Sequence, residues 1–303
     1  MADGAPGDGT DSGTGNATRG GPGRLRYLLT LSRPRFWLYL AGPVVVGVAY
    51  GAGSVPALFA PPALALFAYF LLPANVLLYG VNDVFDADVD AENPKKDDAA
   101  GREARWRGDR LSAAAVVVAG AVGLGTFAVT PPVAWPYLAG FFLLAVGYSA
   151  PPTRFKTTPF LDSLSNGLYA LPGAAAYATL SGSHPPAAAL VGAWLWTMGM
   201  HTFSAIPDVD PDRAAGIRTT ATVLGERGAL VYCGAVWALA AVAFGTLDVR
   251  LGGLLAVYPL ATAALARSSV AVDRAYWWFP AVNTAVGTLL TLGALWRLVG
   301  VPW

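Results

Sequence analysis

Apolar runs long enough to cross a bilayer occupy most of this chain, and no other feature narrows its fold so far. In hydrocarbon every backbone amide must find its partner inside the protein, which leaves only helices and closed barrels. The runs fall near residues 36–53, 58–81, 112–130, 134–150, 160–180, 187–206, 229–246, 250–267 and 275–299. Each is well beyond the roughly ten residues of a barrel strand and near the roughly twenty of a spanning helix. Pro43 is expected to break the first, and Pro151-Pro152 separates the fourth from the fifth. Only 13% of residues are charged, against about 25% in a soluble domain. The expected fold class is therefore all-α, a polytopic membrane protein with nine transmembrane helices.

Residues 1–23, rich in Gly, Asp, Ser and Thr, hold too little apolar surface to order themselves and are expected to form a disordered tail. They lack the short apolar core and small-residue cleavage site of a signal peptide. Residues 24–303 are expected to form one transmembrane domain. A net charge of +1 offers no electrostatic footprint for nucleic acid. The lone cysteine, Cys233, excludes an intramolecular disulfide and reads as a small buried hydrophobe.

Nine spans fix which connections share a side. The side of the N-terminus carries 18 of the 20 Lys and Arg residues, and the other keeps only Arg250 and Arg297. By the positive-inside rule the first side is cytoplasmic. Two acidic clusters, which had no part in setting this topology, fall on that same side. The first is Asn82-Asp83-Val84-Phe85-Asp86-Ala87-Asp88-Val89-Asp90, the second Asp208-Val209-Asp210-Pro211-Asp212. Asn82, Asp86 and Asp90 recur at i, i+4 and i+8, and Asp208 and Asp212 at i and i+4, so each set stacks on one helix face.

Carboxylates beside a bilayer are functional candidates by default. Oxygen ligands from two clusters suit Mg²⁺, which keeps waters and bridges carboxylates to phosphates. The chemistry this favours is ionisation of a prenyl diphosphate: two Mg²⁺ ions would neutralise the head group and act on the leaving oxygen. Arg154 and Lys156 after the fourth span, with Arg213 and Arg218 after the second cluster, are placed to take the remaining phosphate oxygens. An aromatic face such as that of Tyr148 would stabilise the allylic cation.

Three motifs now carry a resemblance. Asn82-Asp83-x-x-Asp86-x-x-x-Asp90 resembles the first signature of the UbiA-type intramembrane prenyltransferases. Asp208-x-x-x-Asp212-Arg213-x-x-Gly216-x-Arg218-Thr219, running to Leu224-Gly225, resembles the second. Tyr148-Ser149-Ala150-Pro151-Pro152 with Arg154 and Lys156 is similar to the family's loop after the fourth helix. The resemblance runs from about residue 30 to the C-terminus. It implies helices around a central cavity open to the cytoplasmic side, with Asn82, Asp86, Asp90, Asp208 and Asp212 as metal and diphosphate ligands. It further implies Arg154, Lys156 and Arg218 as diphosphate contacts and Tyr148 near the reacting carbon. Ile217 departs from the basic residue many members carry, leaving Arg218 to supply that charge. Pro207 and Pro211 bracket the second cluster and are expected to bend that helix end.

Ser32-Arg33-Pro34-Arg35-Phe36-Trp37-Leu38-Tyr39-Leu40 and Asp86-Ala87-Asp88-Val89-Asp90-Ala91-Glu92-Asn93-Pro94-Lys95-Lys96 resemble a branch of the family, the lycopene elongase/hydratases of halophilic archaea. That branch implies dimethylallyl diphosphate as donor and lycopene as acceptor, with the resulting tertiary cation quenched by water on the way to bacterioruberin. An alkene has no acidic proton, so no dedicated base is expected for the attack, only a polar group near the water. Other acceptors (a quinone ring, a chlorin, a haem, a glycerol lipid) stay open, as does a cation-coupled transporter. No obligate protein partner is evident. The enzyme is expected in the cell membrane with its N-terminus and active-site mouth cytoplasmic.

Other residues have plainer expectations. Asp83 and Asp88 point away from the Asn82 face and read as solvated or supporting. Lys95, Lys96 and residues 97–107 read as a wet connection, with a lid as alternative. His201 reads as a satisfied interior histidine, with a proton or water-positioning role as alternative. Asp162, Ser163, Ser165 and Asn166 give the fifth span a polar end, expected to hydrogen-bond between helices. Trp37 is a candidate cavity wall.

Overall fold

A computed structural model describes residues 24–90, 108 and 110–300, with backbone alone for 24, 25 and 86–90. The expected tail and the 95–107 connection lie outside the described residues. Among the described residues every regular element is helical. In chain order these are α1 (Arg24–Leu31), α2 (Trp37–Gly51), α3 (Pro61–Leu71), α4 (Pro73–Asp90), α5 (Arg110–Val129), α6 (Trp135–Gly147) and α7 (Leu161–Ser165). They continue as α8 (Leu171–Ser181), α9 (Ala187–Ala205), α10 (Val209–Ala214), α11 (Thr220–Gly245), α12 (Val249–Leu255), α13 (Val257–Leu265) and α14 (Val272–Leu298).

Helix occupies every predicted apolar run, but several runs are assembled from pieces. Proline, with no N–H and a ring that crowds the preceding turn, marks the joints. Pro73 opens α4 where α3 stops, and Pro172 sits in the first turn of α8, which follows α7 across a 3₁₀ turn at Asn166–Tyr169. The run 160–180 is thus two short helices rather than one span-length helix. Pro43, expected to break the first run, instead lies inside a continuous α2. A neighbouring helix packed against such a proline makes this tolerable in a membrane, and α8 fills that place. An added Cβ on Gly173 would come within 2.7 Å of the Pro43 carbonyl oxygen, and one on Gly51 within 2.7 Å of that of Tyr177. The two backbones approach closely because only small residues stand between them.

Four stretches (61–85, 110–129, 220–245 and 272–298) are each long and apolar enough to cross a membrane alone. Large apolar side chains face outward along the bundle: Val117 is 70% exposed, Leu143 and Val231 73%, Val249 80%. Lipid, not water, is the solvent such a surface fits. Inside, α9 lies along α11. Behind α9, Phe203 stacks on Phe279 at 4.3 Å and Trp237 on Phe279 at 5.7 Å, while Trp237 Nε1 donates to the Trp196 carbonyl at 3.0 Å. This aromatic block braces one side of α9 and leaves the opposite side to the site.

Candidate active site

The site lies at one end of the bundle, where α4, α6 and α9 finish and α2 and α14 begin. A cavity of about 260 Å³ there is walled by Asn82, Tyr79 and Leu78 of α4, Tyr148 at the end of α6, and Trp196, Thr197, Met200, His201 and Ser204 of α9. Arg33, Phe36, Tyr39, Asn166, Leu168, Tyr169 and Tyr276 complete the wall. The α9 residues recur at i, i+3, i+4 and i+7, one helix face. Tyr79 and Asn82 have the same i, i+3 relation on α4.

The two acidic clusters are presented differently. The first rides on α4, which runs unbroken through Asp90, so Asn82, Asp86 and Asp90 keep their i, i+4, i+8 stacking along the backbone. The side chains of Asp86 and Asp90 lie outside the described residues. Asn82 donates from Nδ2 to Ser149 Oγ at 3.0 Å. This ties α4 to the Tyr148-Ser149 corner and turns the amide oxygen, the atom a hard cation takes, away from the tie. The second cluster follows a break: α9 ends at Ala205, a 3₁₀ turn covers Ile206–Asp208, and α10 restarts at Val209. Pro207 and Pro211 cause the bend that the sequence foretold. Asp208 precedes the first turn of α10 and Asp212 sits within it, beyond the cavity wall that ends at Ser204.

Basic residues divide the same way. The loop after α6 folds back on itself, with Lys156 N–H on the Tyr148 carbonyl at 3.1 Å and Arg154 N–H on that of Ala150 at 3.0 Å. A left-handed backbone at Arg154 (φ 37°) sends its guanidinium to the Phe85 carbonyl at 3.4 Å, next to Asp86 in the chain. Arg154 is therefore carried to the first cluster, and the backbone of Lys156 is held at the Tyr148 corner. Arg213 turns elsewhere: its Nε and Nη2 donate to the Thr222 carbonyl at 2.9 and 2.6 Å, latching α10 to the first turn of α11. Arg218 is exposed after α10.

Of its two expected roles Asp83 takes the supporting one: it is 1% exposed, and Arg33 Nη2 reaches its Oδ1 at 3.2 Å. Arg33 also lies over the Tyr79 ring at 4.6 Å. Trp37 is no cavity wall: it donates to Ser32 Oγ at 3.0 Å. The polar end of the fifth run bonds between elements as expected, Ser163 Oγ donating to the Met198 carbonyl at 3.1 Å and accepting from Thr202 at 3.0 Å. Sequence reasoning missed the aromatic wall of Phe36, Tyr39, Tyr79, Tyr169 and Tyr276. Only the i, i+3 spacing of Tyr79 to Asn82 signalled part of it.

Among the described residues no three His, Cys, Asp or Glu side chains form a metal cage. The described cluster residues Asn82, Asp208 and Asp212 offer oxygens from three separate elements, a set that would fit a cation completed by waters and phosphates better than a closed site.

With lipid-suited flanks and a polar-ended, ring-walled cavity at one end of the bundle, the molecule is a membrane-embedded helical protein. The chain belongs to the UbiA prenyltransferase family, whose model matches residues 40–297, and it is an enzyme of that class. A lycopene elongase/hydratase of Haloferax volcanii is 66% identical over 293 residues, covering 97% of this chain and 96% of that protein. One of Halobacterium salinarum is 64% identical over 275 residues, covering 90% and 98%. The fold matches a solved UbiA homolog from Archaeoglobus fulgidus bound to DMAPP and Mg²⁺, with TM-score 0.68 and 19% identity over 91% of this chain and 100% of that one.

Proposed function

We propose that this protein is a nine-span membrane prenyltransferase that moves a C5 dimethylallyl group from its diphosphate onto lycopene and adds water, on the route to bacterioruberin. The observation that carries this is the 66% and 64% identity, along nearly the whole chain, to two proteins named for that activity. The N-terminus and the mouth of the site face the cytoplasm, as the 18-to-2 bias of basic residues supports.

Two Mg²⁺ ions would be held by Asn82, Asp86, Asp90, Asp208 and Asp212. When bound they neutralise the diphosphate and polarise its leaving oxygen. Arg154 and Lys156 bind the head group from the first cluster's side and Arg218 from the second's, with Arg213 holding α10 in place between them. The acceptor's apolar body lies among the helices. Tyr148, with Tyr169 also lining the cavity, offers a ring face to the allylic cation, where desolvation makes cation–π attraction worth about 2 kcal/mol or more. The terminal alkene then attacks that cation without any base, since it has no proton to lose.

Membranes containing the protein, given lycopene, labelled dimethylallyl diphosphate and Mg²⁺, should pass label into C45 and C50 hydroxylated carotenoids, and an Asp86→Ala control should not. Label that enters an aromatic or glycerol-lipid acceptor instead, with none in carotenoid, would sink the lycopene reading and leave prenyl transfer standing.

A further inference from the structure

One buried polar unit has no part in diphosphate binding. Asp162 is fully buried, and both the N–H (2.9 Å) and the hydroxyl of Thr220 donate to its carboxylate. His201 Nε2 stands 3.7 Å from Asp162 Oδ2, the oxygen that also accepts from the Thr220 N–H. The imidazole is 18% exposed, lines the cavity, and meets the Tyr148 ring edge to face at 6.0 Å. The Thr220 donors satisfy the carboxylate from one element, and the side chain set beside it toward the cavity is His201. A carboxylate behind an imidazole that faces a cavity is the arrangement of an oriented base. Arg33 is permanently charged, and among the described cavity-lining residues His201 is the one imidazole, the side chain most often used as a general base.

We propose that His201 is the catalytic group that holds the quenching water and takes its proton, with Asp162 as the positioning residue that orients the ring. The role presupposes that the reaction is prenyl transfer to lycopene followed by hydration. The donor's C–O bond breaks and its electron pair leaves with diphosphate. The acceptor's alkene forms the new C–C bond, leaving a tertiary cation. Water adds to that carbon, a C–O bond forms, and the released proton passes to His201 and on to solvent. Asp162 stays ionised and stabilises the imidazolium. Tyr148, perpendicular to the imidazole at 6.0 Å, places this step beside the ring proposed to face the allylic cation.

Without the imidazole, the same tertiary cation still forms but sheds a C–H proton to give an elongated alkene. The test is the ratio of hydroxylated to unhydroxylated elongated carotenoid in membranes bearing the wild type, His201→Leu, His201→Gln or Asp162→Asn. The ratio counts product molecules only, so a loss of folded enzyme leaves it unchanged. His201→Leu is expected to lower it at least about a hundredfold, the lower end of general-base contributions. His201→Gln, which can hold a water but not take its proton, should fall between, and Asp162→Asn should shift the ratio the same way by less. If His201→Leu forms no product, His201→Gln carries the comparison. A wild-type ratio in any active variant lacking the imidazole overturns the role of His201. A wild type that makes no hydroxylated carotenoid overturns instead the lycopene reading on which that role rests.

Discussion

The two acidic clusters use the same spacing on opposite kinds of support. Asn82, Asp86 and Asp90 sit on α4, which runs without interruption to Asp90, whereas Asp208 and Asp212 straddle a 3₁₀ turn and the start of a six-residue helix. A continuous helix sets the direction of each side chain from its neighbours alone, so the first cluster is aimed by local geometry. A broken one does not, and α10 takes its aim from the Arg213 latch onto the Thr222 carbonyl at 2.6 and 2.9 Å. The difference teaches that equal motifs can differ in what keeps them aligned: hydrogen bonds within one helix in the first case, a contact between two helices in the second.

The largest expected effect treats the clusters as equals. Asp86→Ala and Asp208→Ala should each lower kcat by at least about a thousandfold, roughly 4 kcal/mol of lost charge stabilisation, measured by diphosphate release at saturating donor. A loss at one site with near-normal turnover at the other would end the idea of a shared metal site. Smaller, and specific to the second cluster, is the double change Pro207→Ala with Pro211→Ala. Letting α9 run on into α10 should misplace Asp208 and Asp212 and cost about 10–100-fold in kcat/KM, while the helix content seen by circular dichroism is kept or rises. Unchanged kinetics would mean the break does not set the aim of those carboxylates. The smallest effect separates latch from ligand. Arg218→Ala should raise the donor KM several-fold, whereas Arg213→Ala should lower thermal stability by about 1 kcal/mol with a smaller change in KM. Equal KM effects would put Arg213 on the diphosphate.

Much of the frame could be read before any coordinates, because a membrane segment announces itself by length and composition and a helix face by spacing. That is how the apolar runs, both clusters and the bend at Pro207 and Pro211 were legible. Other features were hidden for physical reasons. Asp83 and Arg33 meet across 50 residues of sequence, and nothing in a register of i and i+4 reports such a pairing. The run 160–180 is as apolar as a span but divides into α7 and α8, because Pro172 and the buried Asp162 ties outweigh local propensity there. Pro43 went the other way, kept within α2 by the close approach of α8.

By itself the sequence determined that this chain must be helical, must live in lipid, and must carry two acidic clusters toward one end of its helices. Those outcomes follow from composition and from the period of the helix, which each segment carries alone. Tertiary structure decided which rings wall the cavity, that Arg33 neutralises Asp83, that Arg213 latches α10, and that His201 stands between Asp162 and open space. These depend on how helices far apart in sequence come together, and that is settled by packing over the whole bundle.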